Sequence, residues 1–345
     1  MKKDIKRLVR PNILALEPYS TARDEYEGGE IEVWLDANEN PFDNGVNRYP
    51  DPHQALLKSQ LSQIKGVASE SIFIGNGSDE AIDLAFRVFA RPGVDNAISI
   101  APTYGMYKVA AATNDVEMRE VQLGANFSLP VEELLAAADE NSKLMWLCSP
   151  NNPTGNSFKS EDIISLIERF EGIVIVDEAY IDFAAGDGFL LILSQYDNLI
   201  VLQTLSKAWG MAGLRLGLAF ASSEIISLMN RVKYPYNINV LTQARVSEGL
   251  KSGVEEQVAL IISERERVKR ELAEIPLIER IYESDANFIL VKTVYANELY
   301  DTLVEGGVIV RNRSKVRGCE NTLRLTIGTP VENCRMIEII KNYQK

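Results

Sequence analysis

The chain has 345 residues, 46% hydrophobic and 25% charged, which are proportions of a globular protein and exclude a disordered or fibrous one. At about 150 residues per domain, that length suggests roughly two domains. Its 36 Lys and Arg against 49 Asp and Glu give a formal charge of −13, which repels phosphate backbones and anionic membranes and argues against nucleic acid as a partner.

In chain order, short β-rich runs fall at 71–74, 96–100, 116–121, 143–148, 172–177, 198–204 and 215–220. Helical patterns at 79–90, 104–112, 130–138 and 160–170 lie between several of them. Ile173-Val174-Ile175-Val176 is continuously apolar, as a parallel strand buried on both faces is. Strands alternating with helices predict βαβ units and an α/β fold: a mostly parallel seven-stranded sheet flanked by helices. After 220 the pattern changes. A long helix is expected over 241–272, then strands at 287–291, 308–311 and 323–327, with helices at 298–305 and 331–343. That mix suits a smaller α+β domain, with Gly306-Gly307 as a helix stop. The expected division is a large domain over 31–240 and a small one made of 1–30 and 241–345, hinged at 233–239.

No run approaches the roughly 18 uninterrupted apolar residues of a membrane helix. No apolar signal core follows the basic start, so a cytoplasmic protein away from membranes is expected. Cys148, Cys319 and Cys334 are too few and too scattered for a disulfide framework or a zinc cluster. His53 is the sole histidine, so no metal site built from several imidazoles is expected. It sits in a loop after Asp51-Pro52 and reads as a surface imidazole; a Ser–His–Asp hydrolase would have to use it as its base.

Open α/β sheets bind ligands at the carboxyl ends of their strands. After 198–202 comes a stretch holding Thr204, Ser206, Lys207, three glycines and Arg215. It is either a Gly-rich loop with a solvated lysine or a cofactor site. Lys207 has small and apolar neighbours, which lower a lysine pKa and suit a Schiff-base former. Arg215 offers a fork for phosphate. Asp177 ends an apolar strand, either as a structural carboxylate or as counter-ion to a protonated ring nitrogen, with Tyr180 nearby. Asn152 lies in the rigid Pro150-Asn151-Asn152-Pro153 turn and could donate an amide hydrogen. Gly75-Asn76-Gly77-Ser78-Asp79-Glu80 opens a helix. Its backbone N–H groups suit a single phosphate; Glu80 stands where a dinucleotide fingerprint needs glycine or alanine. Tyr104 is a stacking platform or ordinary core. Arg324 interrupts Leu323-Arg324-Leu325-Thr326-Ile327 and points either to solvent or into a cleft.

Together these segments resemble the pyridoxal-phosphate enzymes of the aspartate-aminotransferase fold, and among them the histidinol-phosphate aminotransferase family. The resemblance runs from Leu16-Glu17-Pro18-Tyr19 to 323–329. It is strongest at Leu35-Asp36-Ala37-Asn38-Glu39-Asn40-Pro41, Arg48-Tyr49-Pro50-Asp51-Pro52, Pro102-Thr103-Tyr104, 149–155, Asp177-Glu178-Ala179-Tyr180 and 204–217. It implies that Lys207 binds the cofactor aldehyde covalently and then shuttles a proton. It implies that Asp177 keeps the ring nitrogen protonated, that Asn152 and Tyr180 bond the phenolic oxygen, and that Tyr104 stacks on the ring. Ser78, Asp79, Thr204, Ser206 and Arg215 would hold the cofactor phosphate. Tyr49 would reach that phosphate from the other subunit of a homodimer. Arg324 would take the anionic group of each substrate in turn, glutamate or histidinol phosphate, with Tyr19 and Arg311 as further contacts. The implied reaction is ping-pong transfer between L-histidinol phosphate and 2-oxoglutarate, a step of histidine biosynthesis. Rival readings are an aromatic amino-acid aminotransferase or a phosphothreonine-type decarboxylase of the same fold, a non-catalytic ligand binder on this scaffold, and a nucleotide-binding dehydrogenase.

Overall fold

The apolar runs form strands, as their periodicity predicts. In a computed structural model, which describes residues 3–19 and 33–343, eleven strands among the described residues form two sheets. The expected boundary at 30/31 lies outside those residues. The large sheet contains β1 (Ile72–Asn76), β2 (Asn96–Ala101), β3 (Glu117–Gln122), β4 (Ser142–Cys148), β5 (Ile173–Asp177), β6 (Leu199–Thr204) and β7 (Leu216–Phe220). Their order is β1-β7-β6-β5-β4-β2-β3, and β7 alone runs against its neighbours.

Both faces of this sheet are covered, and strand alternation shows how. Ile173 and Ile175 pack on one side with Ser78–Phe89, Met106–Thr113 and Ser223–Val232. Val174 and Val176 pack on the other with Ser160–Arg169 and Ala55–Lys65. Burying each such side chain contributes about 1.5–3 kcal/mol. Ile5, Val9 and Ile13 also join the first cluster, so the start of the chain packs against the large sheet.

The second sheet has the order β10-β11-β9-β8, all antiparallel: β8 (Arg280–Ile281), β9 (Phe288–Lys292), β10 (Arg311–Asn312) and β11 (Thr322–Thr326). One face, carrying Ile289, Val291, Leu323 and Leu325, packs on the helices Glu255–Ala273, Ala296–Glu305 and Pro330–Lys341. The last of these helices starts with a capping box, Thr329 with Glu332. The other face, with Phe288 and Arg324, turns toward the large sheet: Tyr180 and Phe288 meet edge to face at 5.1 Å.

Several local expectations change; the strand expected over 308–311 is confined to Arg311–Asn312. The helix expected over 241–272 is two, Val240–Gly249 and Glu255–Ala273, broken at Gly253, whose φ of 68° no helix permits. The helix Ala55–Lys65 was not foreseen, although buried Leu57 and Leu61 have the i, i+4 spacing of one helix face. Strand β7 begins at Leu216, because Arg215 is left-handed (φ 53°, ψ 51°).

Candidate active site

Strands β1, β2, β4, β5 and β6 run the same way, so the turns after them meet at one sheet edge. There they face the arginine-bearing side of the small sheet across a cavity of about 850 Å³. Ser78, Asp79, Tyr104, Asn152, Asp177, Tyr180, Thr204, Ser206, Lys207, Arg215, Arg311 and Arg324 all line it. Tyr49 and Tyr19 do not. Tyr49 stacks on Tyr236 at 4.4 Å, and Tyr19 is 74% exposed.

Asp177 is the buried acid of the cavity, 3% exposed at the end of β5. Its Oδ2 accepts a 2.5 Å bond from the Tyr107 hydroxyl, and its Oδ1 accepts from the Ala179 N–H at 3.0 Å. Burial pushes its pKa up, while those donors and the Lys207 charge pull it down; the net shift is upward. A carboxylate in this position stays ionised when a cation stands against it. Tyr107 was not anticipated as a site residue. Its ring stacks on Trp146 at 4.9 Å in the core, and a core tyrosine looks the same in sequence whatever its hydroxyl touches.

Lys207 follows β6 and opens onto the cavity. Its pKa is lowered, first by desolvation and then by the Arg324 charge, against the pull of Asp177. Lowering raises the share of neutral, nucleophilic amine. Tyr180 and Asn152 complete this end. The Asn152 amide donates to the Tyr180 hydroxyl at 3.4 Å, and its Oδ1 accepts from Arg324 Nη1 at 2.5 Å. Burial raises the Tyr180 pKa, so its hydroxyl stays protonated.

At the other end, the helix Ser78–Phe89 points its N-terminus at the cavity, and no side chain caps it. The turn before it lies against β7. A Cβ on Gly217 would sit 2.1 Å from the Ser78 nitrogen, and one on Gly77 would sit 2.6 Å from Arg215 Nη2. Glycine at both positions lets the N-terminus and the Arg215 guanidinium converge. Asp79 accepts from the Tyr104 hydroxyl at 3.2 Å and from Arg215 at 3.4 Å. The Thr204 hydroxyl accepts from the Ser206 N–H at 3.1 Å.

The small sheet supplies the opposite wall. Arg324 lies over the Phe288 ring at 5.1 Å, and its buried Nε has no partner. Arg311 is its direct cross-strand neighbour. Like charges placed opposite one another destabilise a ladder, a repulsion that an anion held between them would relieve.

These features define an enzyme that binds a phosphorylated, amine-reactive cofactor and an anionic substrate. Residues 22–340 match the aminotransferase class I and II family. The chain belongs to that family. It is 54% identical over 342 residues to the histidinol-phosphate aminotransferase of Parabacteroides distasonis, covering 99% of each chain. By fold it resembles the histidinol-phosphate aminotransferase of Clostridium acetobutylicum, with a TM-score of 0.79 at 24% identity over 86% of this chain and 90% of that one. The enzyme of that name from Sinorhizobium meliloti, in complex with pyridoxal-5'-phosphate, aligns with a TM-score of 0.78 at 24% identity, over 85% and 83% of the two chains.

Proposed function

We propose that this protein is a histidinol-phosphate aminotransferase, moving an amino group between L-histidinol phosphate and 2-oxoglutarate to give imidazole acetol phosphate and L-glutamate. The observation that carries the reading is one cavity holding the Lys207 amine, the buried Asp177 carboxylate and Arg324 fixed on Asn152, in a chain half identical to enzymes of that name.

Pyridoxal phosphate is the cofactor, and the donor set fits it at each end. The uncapped helix N-terminus at Ser78 and Asp79, with Thr204, Ser206 and Arg215, suits its phosphate. Asp177 suits a protonated ring nitrogen, Asn152 and Tyr180 a phenolic oxygen, and Tyr104 a ring face. When bound, the cofactor supplies the electron sink that makes loss of a Cα proton feasible. Asp177 would keep a proton on the ring nitrogen, and the Tyr107 hydroxyl and Ala179 N–H hold Asp177 in place. Lys207 would hold the cofactor through its ε-amine, and that amine would serve to move the proton at substrate Cα. Arg324 and Arg311 bind the anionic group of whichever substrate is present. One anion site used in turn means that the first product leaves before the second substrate enters, which is ping-pong kinetics.

The active unit is a homodimer in which Tyr49 crosses to the neighbouring site. Large apolar side chains left exposed near Tyr49, such as Leu35, Phe42 and Tyr234, support a covered surface there. The division into two lobes expected at 240/241 with a hinge at 233–239 is moved: Val246 and Leu250 pack in the large-sheet core, as do Ile5, Val9 and Ile13, so the joint is placed near the helix break at 250–254 and the start of the chain with the large lobe. Three free cysteines are in keeping with a reducing cytoplasm. Tyr19 remains a candidate substrate contact. The test is turnover of histidinol phosphate beside tyrosine and phenylalanine. Efficient use of histidinol phosphate is expected; turnover of the aromatic amino acids with none of it would overturn the reading.

A further inference from the structure

Arg313 is absent from every role assigned so far, yet it lines the same cavity. Its position follows from the ladder. Arg311 pairs with Arg324 and Asn312 with Leu323, and the Arg313 N–H donates to the Thr322 carbonyl at 2.9 Å. Residues two apart on a strand share a face, so Arg311 and Arg313 both stand on the cavity side, with Arg324 opposite the first. Among the described residues, no carboxylate pairs with any of the three. The Arg313 side chain has no hydrogen-bond partner there, and its Nε is buried. The Ser314 hydroxyl beside it is also buried and unpartnered. Three guanidiniums on one face carry more charge than a single carboxylate offsets, and a phosphate monoester carries up to two negative charges.

Reach separates the two substrates. Arg311 and Arg313 are about 7 Å apart along the strand. In an amino alcohol phosphate, the phosphorus lies two bonds further from Cα than the α-carboxylate carbon that occupies the same branch of Cα in glutamate; the second carboxylate of glutamate lies on the other branch, where histidinol phosphate carries its imidazole. The phosphate oxygens can therefore span to a second guanidinium while the α-carboxylate stays on the first.

We propose that Arg313 binds the phosphate of the phosphorylated substrate and leaves the carboxylate of the other untouched, so that it sets substrate choice. The proposal rests on the function given above. It is tested on the holoenzyme by following each half-reaction separately, and by calorimetric binding of inorganic phosphate. Arg313→Gln should lower kcat/KM for histidinol phosphate, and weaken phosphate binding, by about 10- to 100-fold, the loss of one charge-assisted contact. The glutamate half-reaction should change less than about threefold, the margin left when no contact is lost. Arg313→Lys keeps the charge without the fork, and should lose about tenfold on phosphate alone; it decides the matter if the Gln variant loses its cofactor absorbance. Equal losses in both half-reactions, or no loss in either, would overturn the proposal. Should wild type refuse histidinol phosphate, the functional reading fails, and an unchanged phosphate affinity in the variants then overturns the role of Arg313 as well.

Discussion

Glu178, next to Asp177, makes the stability of this fold depend on pH in a direction opposite to that of most carboxylates. It is 1% exposed, its Oε1 accepts from the Phe189 N–H at 2.6 Å and its Oε2 from the Gln203 amide at 2.9 Å. Burial outweighs these donors and pushes its pKa from 4.5 up to about 7. Below pH 4.5 the folded and unfolded chains both keep the proton, and Glu178 contributes no difference. Between 4.5 and 7 the unfolded chain loses the proton while the folded one holds it, so stability falls as pH rises. Above 7 the loss is complete. A rise of 2.5 units (7 − 4.5) corresponds to about 3 kcal/mol. Glu178→Gln stays neutral throughout and can still accept from Phe189. Its amide can also donate to Gln203 Oε1, which is buried without a partner. The assay is the thermal midpoint of wild type and variant from pH 4.5 to 8. For 345 residues at about 2.1 cal/mol/K each, 3 kcal/mol is about 4 °C. The variant should gain that much on wild type across the interval and then hold it. A difference that stays flat with pH would refute the argument that burial sets this pKa.

Two substitutions probe the site itself. Tyr107→Phe removes the 2.5 Å donor to Asp177 and keeps the ring on Trp146. A hydrogen bond to a charged group is worth about 1.5–3 kcal/mol, so cofactor affinity should fall at least about tenfold; titration of the apoprotein with pyridoxal phosphate checks this, and unchanged affinity contradicts it. Arg324→Ala should weaken histidinol phosphate and glutamate alike, each losing a contact worth about 1.5–3 kcal/mol. Separate half-reactions give the answer, and loss confined to one substrate would contradict a shared anion site.

Local pattern carried most of the fold. The inner strands of the large sheet, such as β5 and β6, lie on runs whose apolar character is continuous because both faces are buried, whereas edge strand β3 is mostly polar; strand–helix alternation needs nothing beyond neighbouring residues. Lys207, Asp177, Asn152, Tyr180 and Arg215 could be singled out because each ends a strand or lies in the turn after one, and strand ends are where such sheets bind ligands. Pairing between distant segments was not legible. That Arg311 stands opposite Arg324 depends on the β10–β11 register, across the loop from 313 to 321. Arg313 becomes a site residue only through that register. Tyr107 was hidden for another reason: 104–112 reads as a plain helix, and nothing local says which tyrosine hydroxyl reaches β5. The break at Gly253 has no local signature, because the polar–apolar rhythm continues on both sides of it. Tyr49 and Tyr19 carry motif information but stand outside this chain's cavity, where a partner subunit would be needed to give Tyr49 its role.

The central claim is that the ε-amine of residue 207 carries the cofactor. Saturating the purified protein with pyridoxal phosphate, reducing it with borohydride and mapping the labelled peptide tests this directly. A single phosphopyridoxyl group on Lys207 is the predicted result. Label on some other lysine, or none on a protein that stays colourless, would contradict it.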